Sequence, residues 1–129
     1  MLKEVDSFTF KTAPTAATFE DWSHDIVSTI SCGAGFNKEA CRKWLLNAFR
    51  MEVEAELLLN VPENLSSINE KALLALLKIL DTGRARKYRR LARREMFEKG
   101  SPLSILVILR DYAKGFEEEP LMAGLDSTV

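Results

Sequence analysis

The run Arg84-Ala85-Arg86-Lys87-Tyr88-Arg89-Arg90-Leu91-Ala92-Arg93-Arg94 places seven cations and no acid in eleven residues. The chemistry open to such a cluster is electrostatic. Arginine's planar fork grips phosphate or carboxylate oxygens two at a time, and arginine outnumbers lysine here six to one. The whole chain carries a formal charge of only −1, which leaves about −8 for the remainder. A roughly neutral globule with one basic ridge suits a polyanion contact or a charge-matched contact with another copy. The plainer reading is a solvated face answered by Glu95, Glu98 or the Glu117-Glu118-Glu119 patch, where single exposed ion pairs contribute little.

A helix is the element that would turn this run into a surface. Drawn that way, Ala85, Tyr88, Leu91, Ala92 and Met96 share one arc and Arg86, Lys87, Arg89, Arg90, Arg93 and Arg94 occupy the other. Those six cations are the candidate nucleic-acid-binding residues, since tracking a phosphate backbone needs just such a cluster. Tyr88 falls on the apolar arc, and Phe97 alone lies near the basic one. Base stacking therefore has little to work with, and RNA contact is expected to be weakly sequence-specific. Phe97 is a thin anchor for a membrane surface, and no apolar run reaches the length of a span, so no membrane partner is expected.

Enzyme chemistry finds no constellation. His24 is the one histidine, with no serine–carboxylate partner recognisable from spacing. Cys32 and Cys41 stand nine apart around Gly33-Ala34-Gly35, and without a C-x-x-C pair or second histidine they make a poor zinc set. The N-terminus lacks the pattern of a secretory signal, so two reduced thiols and a cytoplasmic, reducing setting are expected. Gly33-Ala34-Gly35 is short for a phosphate loop, lacks its lysine, and reads as a helix stop. Glu52, Glu54 and Glu56 spread around a helix rather than pairing, and Trp22 and Trp44 sit on apolar stripes as core anchors. The expectation is a protein that is not an enzyme, with no catalytic residues, metal, cofactor or small-molecule substrate.

The elements around the ridge read as helices throughout. At 129 residues the chain is most simply one domain. Residues 1–17 form an extended arm, with Val5, Phe8 and Phe10 in partial alternation and Pro14 blocking regular continuation. Thr18 caps a first helix ending at Gly33-Ala34-Gly35, and Asn37 caps a second built on Trp44, Leu45, Ala48 and Phe49. Ser67 with Glu70 has capping-box spacing and opens a segment to Leu80 that is apolar around most of its circle. Gly83 marks a break before the basic helix. Ser101 and Pro102 start a last greasy helix, and Gly115 closes it. The fold expected is an all-α compact bundle of about five helices: arm 1–17, helical domain 18–115, and an acidic, polar tail 116–129.

The order of these features resembles a known family. Phe19-Glu20-Asp21-Trp22, then Ala40-Cys41-Arg42-Lys43-Trp44-Leu45-Leu46, then Ser67-Ile68-Asn69-Glu70-Lys71 running to Ala75-Leu76-Leu77-Lys78-Ile79-Leu80 form the first part of the series. Gly83, Arg86-Lys87, Gly100, Leu103, Ile105-Leu106, Ile108 and Asp111-Tyr112 complete it. The series resembles the Gag capsid region of copia-type LTR retrotransposons, particularly the Gag-like segments of dinoflagellate-type polyproteins, over roughly residues 15–114. The resemblance implies an all-helical structural domain that self-assembles and encloses RNA. Helices 68–80 and 103–113 carry more apolar surface than a domain of this size easily encloses, and Leu103, Ile105, Leu106, Val107 and Leu109 are the expected homo-oligomer interface, the alternative being that both helices sit at the domain centre. A small nucleic-acid-binding or regulatory helical module, or a helical adaptor for a partner's helix, stands as the alternative.

Overall fold

A computed structural model describes residues 3–50 and 52–127, the stretch 117–127 as backbone only. Its helices are α1 (Phe19–Gly33), α2 (Lys38–Leu46), the short α3 (Ala55–Leu59), α4 (Ser66–Ile79), α5 (Thr82–Lys99) and α6 (Ile105–Ser127), and no described residue lies in a strand. Five longer helices and one five-residue turn thus make the all-α bundle that the apolar spacing implies. The third of these, α3, turns the Leu57-Leu58-Leu59 run into a separate element between Glu54 and Asn60, both extended.

The core gathers one stripe from each long helix. Ile26, Val27 and Ile30 come from α1, Cys41, Trp44 and Leu45 from α2, and Ile68, Ala72 and Leu76 from α4. From α6 come Ile105, Leu106, Ile108, Leu109 and Tyr112. The helix that is apolar on most sides, α4, is enclosed as its pattern requires, with Leu74 the large side chain left outside. Cys41 is fully buried there, and burial pushes its thiol up to about 12, so it stays a protonated packing group. Cys32 is exposed, and neither cysteine is in a disulfide.

The N-terminal arm is docked. Val5 N–H donates to the carbonyl of Gly33 at 2.9 Å, and the Trp22 indole N–H donates to the carbonyl of Thr12 at 2.9 Å. Lys71 of α4 donates to Val5 O at 2.8 Å and pairs with Glu4, which also accepts from the Ser67 hydroxyl at 2.6 Å. The Lys71 bond is the main reason the Glu4 carboxyl is held below the usual range, with the Ser67 bond next. The Gly33–Gly35 stop is also the seat for this arm. A Cβ on Gly33 would stand 2.5 Å from the Phe8 ring, and one on Gly35 would stand 2.8 Å from the Lys3 backbone at a φ of +61°. Only glycine fits both demands.

Several caps differ from the sequence reading. The Asn37 side chain turns away from α2 to exchange bonds with Asn64, both at 3.3 Å, and Ser67 serves Glu4 rather than the start of its own helix. The break before α5 comes at Leu80 and Asp81, where Asp81 accepts the Arg84 N–H at 3.1 Å; Gly83 lies within the first turn. Ser101 and Pro102 precede α6 instead of opening it. Ser104 is the cap, its hydroxyl accepting from Leu106 N–H at 3.2 Å. Gly115 lies inside α6, which runs on through the acidic stretch.

The start of α6 is pinned from outside by one buried amide. Asn69, fully enclosed in α4, donates to Leu103 O at 3.0 Å and accepts from Ile105 N–H at 2.8 Å. Both backbone groups are sequestered from water, so the amide satisfies what would otherwise be two unpaired buried groups. A polar residue inside a greasy helix is thereby the joint between α4 and α6.

Candidate nucleic-acid interface

The basic run folds as the amphipathic helix α5. Asp81 caps its start and Gly100, at φ +69°, closes it, with the Gly100 N–H returned to Met96 O at 3.0 Å. Ala85 and Tyr88 are buried and Leu91 and Ala92 half-buried, the arc that the spacing assigns to the core. Met96 departs from that arc and is largely exposed, because by then the helix has run past its neighbours. The anchor is Tyr88. Its hydroxyl donates to Asp111 of α6, and its ring lies 6.5 Å from that of Tyr112. Burial foremost, with the Asp111 bond behind it, raises the Tyr88 phenol far above its ordinary value.

The seven cations divide into two groups. Arg84 turns inward, its guanidinium 4.7 Å from the centre of the Tyr112 ring and 3.6 Å from Asp81. Lys87, one of the six candidates, lies 4.0 Å from Asp111 and over the Tyr88 ring, 5.6 Å from its centre. These two side chains lie toward α6. Arg86, Arg89, Arg90, Arg93 and Arg94 are exposed and have no ion-pair or hydrogen-bond partner among the described residues. Glu95 answers Lys99 at 3.2 Å, not the arginines.

The five unpartnered arginines form two neighbouring rows, 86–90–94 and 89–93, spanning about 12 Å of helix axis at the α-helical rise. Like charges at i,i+4 destabilise a helix by roughly 0.2–0.5 kcal/mol per pair. Three such pairs stand here, at 86/90, 90/94 and 89/93. An array of this kind is relieved when anions arrive along it. The fork geometry suits phosphate oxygens, and Phe97, 92% exposed one turn beyond Arg93, is the single ring on hand for a base.

The expected self-association residues are elsewhere. Leu103 is 4% exposed and Ile105, Leu106 and Leu109 are 0% exposed within one copy; Val107 is half-buried against the same core. The expectation of surplus surface on this segment is therefore corrected. The greasy stretch lies at the centre of the bundle, and Asn69 and Ser104 satisfy the backbone groups buried with its first turn. The large apolar side chains that do face outward include Phe36, Leu57, Leu59, Leu74, Met96 and Phe97.

His24 and Cys32 lie eight residues apart on α1, about 12 Å along its axis and too far for direct proton transfer. No three His, Cys, Asp or Glu among the described residues are gathered to hold a metal ion. No helix of the described residues is long and apolar enough to cross a membrane. No family model, curated protein or solved structure matches the chain.

Two features of the region were illegible as function in sequence. The division of Arg84 and Lys87 from the other cations depends on Asp111 and Tyr112, more than twenty residues away. Asn69 had a visible signal, a lone amide within an apolar helix, but its partners lie thirty-four and thirty-six residues on.

Proposed function

We propose that the protein is a Gag-like structural domain that contacts RNA through α5, with Arg86, Arg89, Arg90, Arg93 and Arg94 lying along the phosphate backbone. The observation carrying this reading is the exposed double row of five arginines with no anionic partner among the described residues, on a helix whose other face is fixed to the core. A solvated face answered by local acids is the competing account. It is weakened because Asp81, Glu95 and Asp111 pair with Arg84, Lys99 and Lys87, and Glu98, four residues beyond Arg94, makes no ion pair with any of the arginines.

The experiment is titration of a labelled single-stranded RNA with the protein across salt. Five neutralised phosphates on a single strand give a log–log slope of about −3.5, so affinity falls roughly a hundredfold between about 50 and 200 mM salt. Shuffling the RNA sequence leaves the curve in place, since the row offers few base contacts. A slope near zero, or affinity set by sequence and not by salt, refutes the reading.

Self-association remains the structural half of this proposal, on a different surface from residues 103–109. Phe97 at 92% and Phe36 at 82% exposure, with Leu74 at 64%, are the observations favouring it.

A further inference from the structure

A cleft of about 910 Å³ opens between α1, α2 and α6, and no residue of α5 lines it. That volume lies within the ~300–1,000 Å³ range of small-molecule sites. Its walls are apolar at Phe19, Val27, Leu46, Phe49 and Phe116. Among the described residues its charge is one-sided: Lys38, Arg42, Arg110 and Lys114 line it against the acid Glu20. Arg42 is held by Glu39 at 3.0 Å, and Arg110 donates to the carbonyls of Ala48 and Arg50. Lys38 and Lys114 are exposed and have no ion-pair partner among the described residues.

From this combination of apolar walls and two ammonium groups that no described acid answers, we propose that the cleft binds a small amphipathic anion, a free medium-chain or aromatic carboxylate. The apolar body lies against Phe19, Val27 and Phe49, and the carboxylate sits in the field of Lys38 and Lys114. This site is independent of the arginine row and stands or falls without it. A neutral ligand of the same shape gains the apolar burial and loses the charge contact, which makes the head group the discriminating feature.

The test is calorimetric titration of the full chain with decanoate and, separately, with decanol. Decanoate is expected to bind saturably at one site, with decanol at least about tenfold weaker. The double variant Lys38→Gln, Lys114→Gln changes only exposed side chains, so it keeps its thermal midpoint, loses about tenfold in decanoate affinity, and leaves decanol unchanged. Ser28→Trp, an exposed position on the cleft wall, blocks both ligands by filling the space. Absence of saturable binding, equal affinity for the two ligands, or decanoate binding untouched by both variants overturns the proposal.

Discussion

Replacing Arg86, Arg89, Arg90 and Arg93 together with glutamine is expected to lower affinity for single-stranded RNA by about a hundredfold to a thousandfold at low salt, and to flatten the salt slope to about −0.7. The slope is the sharper readout. Each arginine that meets a phosphate releases its condensed counterion, so removing four contacts of five takes away four fifths of the dependence. Folding is expected to be undisturbed. All four side chains are exposed, Tyr88 and Ala85 still seat the helix, and all three like-charge i,i+4 pairs disappear. A thermal midpoint equal to or slightly above that of the parent chain, with binding lost, separates a contact role from a structural one. Substituting the same positions with lysine preserves the slope and weakens affinity only modestly, because charge remains and the bidentate fork is lost.

The second large effect is on stability. Asn69→Ala is expected to destabilise the protein by roughly 3–5 kcal/mol. The amide's two bonds at 3.0 and 2.8 Å are lost, and the Leu103 carbonyl and Ile105 N–H are left buried without partners. Each such orphan carries about 1–3 kcal/mol, and the vacated volume adds a smaller cavity term. For a domain of this length that is a drop in thermal midpoint on the order of 10–15 °C. Asn69→Asp is expected to be no better. Its carboxylate can accept from Ile105 but cannot donate to Leu103, and it would bury a charge beside a carbonyl oxygen. A calorimetric scan decides this. A midpoint within a few degrees of the parent would mean that α6 does not depend on the amide for its entry into the core.

How far the sequence could be read follows from the range of the forces involved. The amphipathic division of α5 was legible because both arcs are set by residues three and four apart, and Ala85, Tyr88, Leu91 and Ala92 take the inner side as their spacing demands. Enclosure of α4 was legible for the same reason: a helix apolar on most sides has no stable place but the interior. The stop at Gly33–Gly35 was legible as backbone chemistry, yet its second role was not, because the arm that closes on it lies thirty residues upstream.

The misreadings share one cause. Asn37, Ser67 and Ser101 each had good local reasons to cap a helix, and the first two were recruited by distant partners, Asn64 and Glu4. Ser101 was passed over because the chain runs on into the core as far as Ser104, and Asn69 bonds the backbone on either side of that residue. That same shift of three residues took Leu103 and Ile105 inside and removed them as an interface. Apolar composition could show that residues 103–109 were greasy. It could not show whether the covering surface belonged to the same copy or to another. The cleft between α1, α2 and α6 was beyond reach for a related reason, since Ser31, Lys38 and Lys114 are brought together only by the packing of three helices.

The contact itself is most directly observed through the arginine side chains, by recording Nε–Hε resonances of the folded protein while single-stranded RNA is added. The account predicts that the shifts concentrate on Arg86, Arg89, Arg90, Arg93 and Arg94, with Arg84 held at Tyr112 and Arg42 held at Glu39 little moved. Shifts spread evenly over every exposed arginine, or gathered away from α5, would contradict it.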